Sequence, residues 1–140
     1  MPISSAMPVR GAITKEAWLA LDLACVVVDS KDPEGLARFW SQVLDFEIED
    51  SSPEEVFMSL RSGGGHNVLF VKVADDKVVK NRLHFDLRPD DKDAEVARVL
   101  ALGATRVDIG QRDVTWEVLA DPEGNEFCIL RALNPGEEGP

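Results

Sequence analysis

The sequence predicts an α+β fold built from two copies of one βαβββ module, and three observations carry that expectation. The order strand, helix, strand, strand, strand is written twice along the chain. The two helical segments share a fragment, Leu36-Ala37-Arg38-Phe39 against Val96-Ala97-Arg98-Val99. Both also close on a leucine before a turn, Leu44-Asp45-Phe46 in the first and Leu102-Gly103-Ala104 in the second. At 140 residues the chain fits one domain, large enough to bury a core without metals or disulfides. The expected boundaries are an arm over 1–16, the domain over 17–132 and a tail over 133–140. Module one covers about 19–74 and module two about 82–132.

Each element has its own signal. The apolar, β-branched run Leu19 to Val28 reads as a buried strand, ended by the polar Asp29-Ser30-Lys31. A helix follows, with Asp32 as N-cap, Pro33 at the first helical position and Glu34 beside the positive end of the dipole. Leu36, Phe39, Trp40, Val43 and Leu44 recur at the spacing of one buried helical face, so Phe39 and Trp40 are expected in the core. Strands are expected at Phe46 to Glu49, Val56 to Leu60 and Asn67 to Val73. Ser62-Gly63-Gly64-Gly65-His66 lies between the last two. With no following helix or Lys-Ser/Thr it is a plain connection rather than a phosphate loop, and His66 is read as a solvent histidine.

Module two opens on Leu83-His84-Phe85-Asp86-Leu87-Arg88, where apolar and polar residues alternate. As a strand it turns Leu83, Phe85 and Leu87 to one face and His84, Asp86 and Arg88 to the other. A helix is expected after Asp90-Asp91, with Val96, Val99 and Leu100 on one face and Gly103 at its end. Strands at Ala104 to Ile109, Val114 to Leu119 and Glu126 to Leu130 complete the module. In the turn Asp121-Pro122-Glu123-Gly124-Asn125, Pro122 suits the second position and Gly124 the left-handed one. Counting outward from that turn sets Val118 opposite Cys128 and Trp116 opposite Leu130. Trp116, Val118 and Cys128 then share one sheet face, and Phe127 and Ile129 the other.

Composition narrows the function classes. The 44% hydrophobic content and mean hydropathy of -0.12 are those of an ordinary globular protein. No run approaches the ~18 apolar residues of a membrane span, and Met1-Pro2-Ile3-Ser4-Ser5 lacks a secretory layout, so a cytoplasmic address is expected. The net charge of -11 opposes nucleic acid and favours cations. Cys25 and Cys128 are far apart in a chain that is not Cys-rich, and reduced thiols are expected.

The chain resembles the vicinal oxygen chelate superfamily, the glyoxalase and bleomycin-resistance-like proteins, in its glyoxalase-like branch. The resemblance rests on Asp32-Pro33-Glu34-Gly35-Leu36-Ala37-Arg38-Phe39-Trp40, Leu83-His84-Phe85-Asp86-Leu87, Ala101-Leu102-Gly103-Ala104 and Leu119-Ala120-Asp121-Pro122-Glu123-Gly124-Asn125-Glu126-Phe127-Cys128. It implies a cup of curved mixed sheets with helices outside, and a homodimer. It also implies four convergent positions that hold a metal in metal-using members, falling here at Cys25, Val71, His84 and Cys128. Only His84 keeps a usual ligand type, so the usual metal site is expected to be broken and no cofactor is required. The alternative is zinc on Cys25, His84 and Cys128.

The expected function is therefore binding of a small, cationic molecule by the cup, with Cys25, Val71, His84, Asp86, Trp116, Val118 and Cys128 lining the site. Two alternatives stand beside it. One is a lyase, isomerase or dioxygenase that uses His84 as base or metal ligand, the other a non-catalytic partner-binding module. Asp86 beside His84 favours a protonated imidazole, which suits a base or a hydrogen-bonding anchor.

Overall fold

The structure, a computed structural model, describes residue 21, residues 23–61 and residues 66–139. The expected arm at 1–16 and the glycines at 63–65 lie outside the described residues. The elements run β1 (Val26–Ser30), α1 (Pro33–Val43), β2 (Phe46–Ser51), β3 (Glu55–Leu60), β4 (Asn67–Lys72), β5 (Phe85–Leu87), α2 (Lys92–Leu102), β6 (Thr105–Arg106), β7 (Glu117–Ala120) and β8 (Glu126–Ile129). No helix among the described residues is long and apolar enough to cross a membrane.

The duplication is visible in the sheets. Sheet one has the order β1-β4-β3-β2 and sheet two the order β5-β8-β7-β6. In each, the opening strand lies parallel to the closing strand of its module, and the remaining pairs are antiparallel. The arrangement is the two-module α+β fold that the repeat predicts.

Local chemistry sets the helices. Asp32 caps α1 by accepting from the Gly35 N–H at 3.2 Å, with Pro33 at the first position. A Cβ at Gly35 would stand 2.3 Å from Asp32 Oδ2, so the cap and the glycine belong together. Asp91 caps α2 through the Ala94 N–H at 3.1 Å, and Gly103 ends it.

Four expectations need correcting at the strands. The one at Ala104 to Ile109 is only the two-residue β6, and the one at Val114 to Leu119 starts only at Glu117, because β6 and β7 pair over two residues. The two opening strands differ as well. The described residues of the run from Leu19 to Val28 do not form the expected buried strand: β1 starts at Val26, and Leu21 and Leu23 are 86% and 83% exposed. An edge strand has a neighbour on one side only, and an apolar run there need not be covered. The strand at Leu83 to Arg88 shortens to Phe85–Leu87, and Leu83 is 85% exposed instead of sharing the core with Phe85 and Leu87. Alternation predicts faces well, but only the partner strand β8 fixes where pairing starts.

The core forms between α1 and both sheets. Leu36, Phe39, Trp40 and Val43 of α1 pack with Val56, Met58, Val68 and Phe70 of sheet one and with Phe127 and Ile129 of sheet two. Trp40 makes edge-on contacts with Phe39, Phe85 and Phe127 at centroid distances of 5.2, 5.4 and 4.8 Å. The module-one helix is thus the shared core element of both modules.

Module two grips that helix at three points. At its start, Glu123 accepts from the Ser30 hydroxyl (2.6 Å) and from the Lys31 and Asp32 N–H groups (2.8 and 3.0 Å). Midway, Trp40 Nε1 donates to the buried Asp121 carboxylate at 3.0 Å. At its end, Arg98 of α2 donates to the Gln42 and Val43 carbonyls at 2.7 and 2.9 Å. An anion at the N-terminus and a cation at the C-terminus both complement the helix dipole. The two acidic grips come from the turn Asp121 to Asn125, where Gly124 has the expected left-handed φ of 91°.

The connection from β4 to β5 is a strap rather than a free linker. Lys77 pairs with Glu126 of β8, and the Asn81 N–H donates to the same carboxylate at 2.8 Å. Burial would raise the Glu126 pKa, but these hydrogen bonds and the Lys77 charge outweigh it and lower the value. The tie is complete at neutral pH and is lost as pH falls through the lowered value.

Candidate functional site

The seam between the modules holds a cavity of about 470 Å³. Its walls come from the entry to β1, the end of α1, the starts of β2 and β4, and β5. Val26, Leu44, Phe46, Leu60, Val68, Phe85 and Leu87 make it apolar, and Asn67, His84 and Asp86 add polar groups. The volume lies within the ~300 to 1,000 Å³ range of small-molecule sites. A second cavity of about 290 Å³ lies between the end of α1 and α2, but its Arg98 is already committed to Glu95 and the α1 carbonyls.

Strand alternation delivers polar lining of the larger cavity. Phe85 and Leu87 pair with Phe127 and Ile129 on the core side, which leaves Asp86 opposite Cys128 on the other face. His84 precedes the strand, with Nε2 3.1 Å from Asp86 Oδ1. The imidazole nitrogen, the Asp86 carboxylate and the Cys128 sulfur lie within 4.8 Å of one another. Asp86 joins the other two, within ion-pair distance of the imidazole and hydrogen-bonded to the thiol.

This environment holds the thiol proton. Burial, then the Asp86 charge and hydrogen bond, push the Cys128 thiol up to about 11, against a smaller opposing pull from Lys80. From an ordinary 9.0, that rise cuts the thiolate fraction at pH 8 about 100-fold. Cys128 is therefore expected to react with iodoacetamide at pH 8 at least ~100-fold more slowly than a free model thiol. Asp86→Asn should speed that reaction, and equal rates in the two proteins would remove Asp86 from control of the thiol.

The predicted site residues divide into two groups. Cys25, His84 and Asp86 line the cavity together. Cys128 joins the cluster from the neighbouring strand without lining the cavity. Val71 lies in β4 between Asp29 and Glu55, Val118 is fully buried opposite Cys128 as the turn count predicts, and Trp116 is 40% exposed ahead of β7. None of these three reaches the cavity. His66, read as a solvent histidine, is exposed yet stands at the cavity wall, and Leu44 was visible in sequence only on a buried helical face, Phe46 and Leu60 only as strand residues. Both cysteines are free thiols.

The metal positions are only partly reproduced. His84 and Cys128 converge as the resemblance implies, whereas Cys25 and Val71 are not in the cluster; Asp86 supplies a third donor that the resemblance did not bring. Imidazole, carboxylate and thiolate are all zinc ligands, so this donor set fits zinc with one position open.

A family model, the glyoxalase-like domain, matches residues 25–130. The chain belongs to the glyoxalase-like domain family. A search of curated proteins found no match. Among solved structures, this glyoxalase-like chain is similar to a glyoxalase/bleomycin resistance protein/dioxygenase family enzyme from Burkholderia phytofirmans PsJN. The TM-score is 0.63 and the identity 24%, over 81% of this chain and 100% of that one. A variant of the fosfomycin resistance protein FosX from Listeria monocytogenes, complexed with Mn(II) and 1S,2S-dihydroxypropylphosphonic acid, gives 0.63 at 17% identity over 82% and 93% of the chains. A bleomycin-binding protein complexed with bleomycin gives 0.53 at 16% identity over 81% and 100%. These likenesses concern the fold.

Proposed function

We propose that this glyoxalase-like chain binds a small cationic molecule with an apolar body in the seam cavity, without requiring a metal. The observation that carries the reading is the cavity itself, about 470 Å³ of largely apolar wall with His84 and Asp86 among its lining residues. Asp86 supplies negative charge and His84 a hydrogen-bonding ring, while the net charge of -11 draws cations toward the molecule. That proteins of this fold hold ligands as different as bleomycin and a phosphonic acid supports a binding role without fixing the ligand. We further propose that the chain pairs with a second copy.

The test is calorimetric titration with two probes, bleomycin and the simple apolar amine tryptamine. At least one should bind, and His84→Ala should weaken it ~10-fold or more while leaving the melting temperature within a few degrees. An unchanged affinity removes His84 from the site, and no heat with either probe overturns the cationic-ligand reading.

The three-donor cluster favours a second reading, a zinc site on His84, Asp86 and Cys128. Bound zinc would supply a Lewis acid toward a ligand oxygen. The chain's own part is to hold the three donors together and to give up the thiol proton, because thiolate is the ligand form. Zinc titration of the purified protein should then release about one proton and protect Cys128 from alkylation. Stoichiometric zinc uptake with neither effect would exclude Cys128 as a ligand.

A further inference from the structure

The strap that joins the modules, Lys77-Val78-Val79-Lys80-Asn81-Arg82-Leu83, has three cations and no carboxylate in a chain of net charge -11. Alternation along β8 fixes where it lies. Phe127 and Ile129 turn to the core, so Glu126 and Cys128 share the opposite face of sheet two, and Asp86 stands beside Cys128 on it. Glu126 is also what holds the strap. It pairs with Lys77 and accepts from the Asn81 N–H at 2.8 Å, while the Asn81 side-chain amide donates to Asn125 Oδ1 at 3.1 Å. The strap thus crosses the start of β8 on the face that carries the His84, Asp86 and Cys128 cluster.

Two of its three cations have no carboxylate partner. Lys80 and Arg82 are exposed and, among the described residues, enter no ion pair; Lys80 reaches only the neighbouring Asn81 carbonyl, at 3.2 Å. Arg82 precedes His84 by two residues, which keeps their Cα atoms within about 7 Å of each other. The Lys80 charge is felt at Cys128, where it opposes the upward push of burial and Asp86 on the thiol. That sulfur lies within 4.8 Å of the Asp86 carboxylate. One carboxylate and two unpaired cations therefore surround the same small volume, beside the cavity wall that His84 and Asp86 line.

We infer that Lys80 and Arg82 of the strap are specificity-determining residues of the seam cavity, and that its preferred ligand carries an ammonium and a carboxylate side by side on an apolar body, as an apolar amino acid does. The inference rests on the proposed cationic-ligand reading and narrows it. Asp86 takes the ammonium, Lys80 and Arg82 take the carboxylate, and the apolar walls take the body. A ligand with a cation alone meets two like charges beside Asp86, whereas an adjacent carboxylate turns both into charge-assisted hydrogen-bond donors. A doubly charged phosphate is the poorer match, because Asp86 repels it more strongly. The ties to Glu126 and Asn125 hold the strap backbone in place before ligand arrives, which lowers the ordering cost of binding.

Calorimetric titration of the full chain with tryptophan and with tryptamine tests this, since the two probes differ only by the carboxylate. The wild type should bind tryptophan ~10-fold or more tighter than tryptamine. Lys80→Gln with Arg82→Gln should abolish that preference by weakening tryptophan without weakening tryptamine. Tryptamine binding as tightly as tryptophan, a preference that survives in the double variant, or an equal loss for both probes overturns the inference and leaves the cationic-ligand reading standing. Heat from neither probe overturns the inference as well, and the bleomycin titration then decides the broader reading alone. Both changed residues are exposed, and circular dichroism of the double variant confirms that a lost preference is not a lost fold.

Discussion

Trp40→Ala is expected to destabilise the fold by about 4 kcal/mol, the largest effect of any single change considered, measured by urea unfolding. The indole is 3% exposed and, among the described residues, is the only side chain in edge-on contact with Phe39, Phe85 and Phe127 together. Its removal opens a void between the modules that neither sheet can close alone. Phe85 also walls the cavity, so Trp40→Ala should weaken ligand binding even in protein that remains folded. Trp40→Phe separates packing from hydrogen bonding: it keeps a ring, loses the Nε1 donor and should cost about 1 kcal/mol. Equal losses in the two variants would show that the hydrogen bond, and not the packing, gives Trp40 its weight.

Asp121→Ala is expected to cost about 3 kcal/mol. Its carboxylate accepts from Trp40 Nε1, from the Glu123 and Asn125 N–H groups and from the Asn125 side chain, at 2.9 to 3.3 Å. The site is 4% exposed, so these donors would be left with little access to water. Asp121→Asn should still cost about 1 to 2 kcal/mol, because one oxygen becomes an amide that faces donors. The pH dependence has a definite sign. Burial raises the Asp121 pKa above 3.8 despite the hydrogen bonds that lower it. Its proton is held more tightly in the folded state, so its contribution is complete below about pH 4 and declines as pH rises through the raised value. Asp121→Asn should remove that decline, and a stability profile unchanged between the two proteins would show that Asp121 does not titrate in this range.

Local rules carried the reading where the determinant lies within a few residues. The cap at Asp32, the helix after Asp90-Asp91, the buried face Leu36 to Val43 and the register set by the turn at 121–125 each depend on short spacings, and each is present. The fold class followed from repetition. The strands that went wrong include those opening each module, whose pairing with β4 and β8 is settled by residues some 40 positions away, and the short β6 and β7 of module two. The candidate site was legible in part for the same reason. Alternation along β5 picked out Asp86, and the family's positions picked out His84 and Cys128. The wall that Leu44, Phe46 and Leu60 give the cavity exists only because one module packs beside the other, and no spacing in the sequence encodes it.

The grip of module two on α1 also bears on how the chain reaches this structure. Trp40 and Asp121 are 81 positions apart, and Ser30 and Glu123 are 93 apart. A helix whose two ends and middle wait for residues so distant cannot finish its environment during early, local folding. Closing loops of that length costs entropy before any contact repays it, so these ties are expected to form late in folding. The sequence repeats a module, yet the folding unit is the pair: an isolated first half would keep the α1 sequence without the carboxylates and guanidinium that hold it.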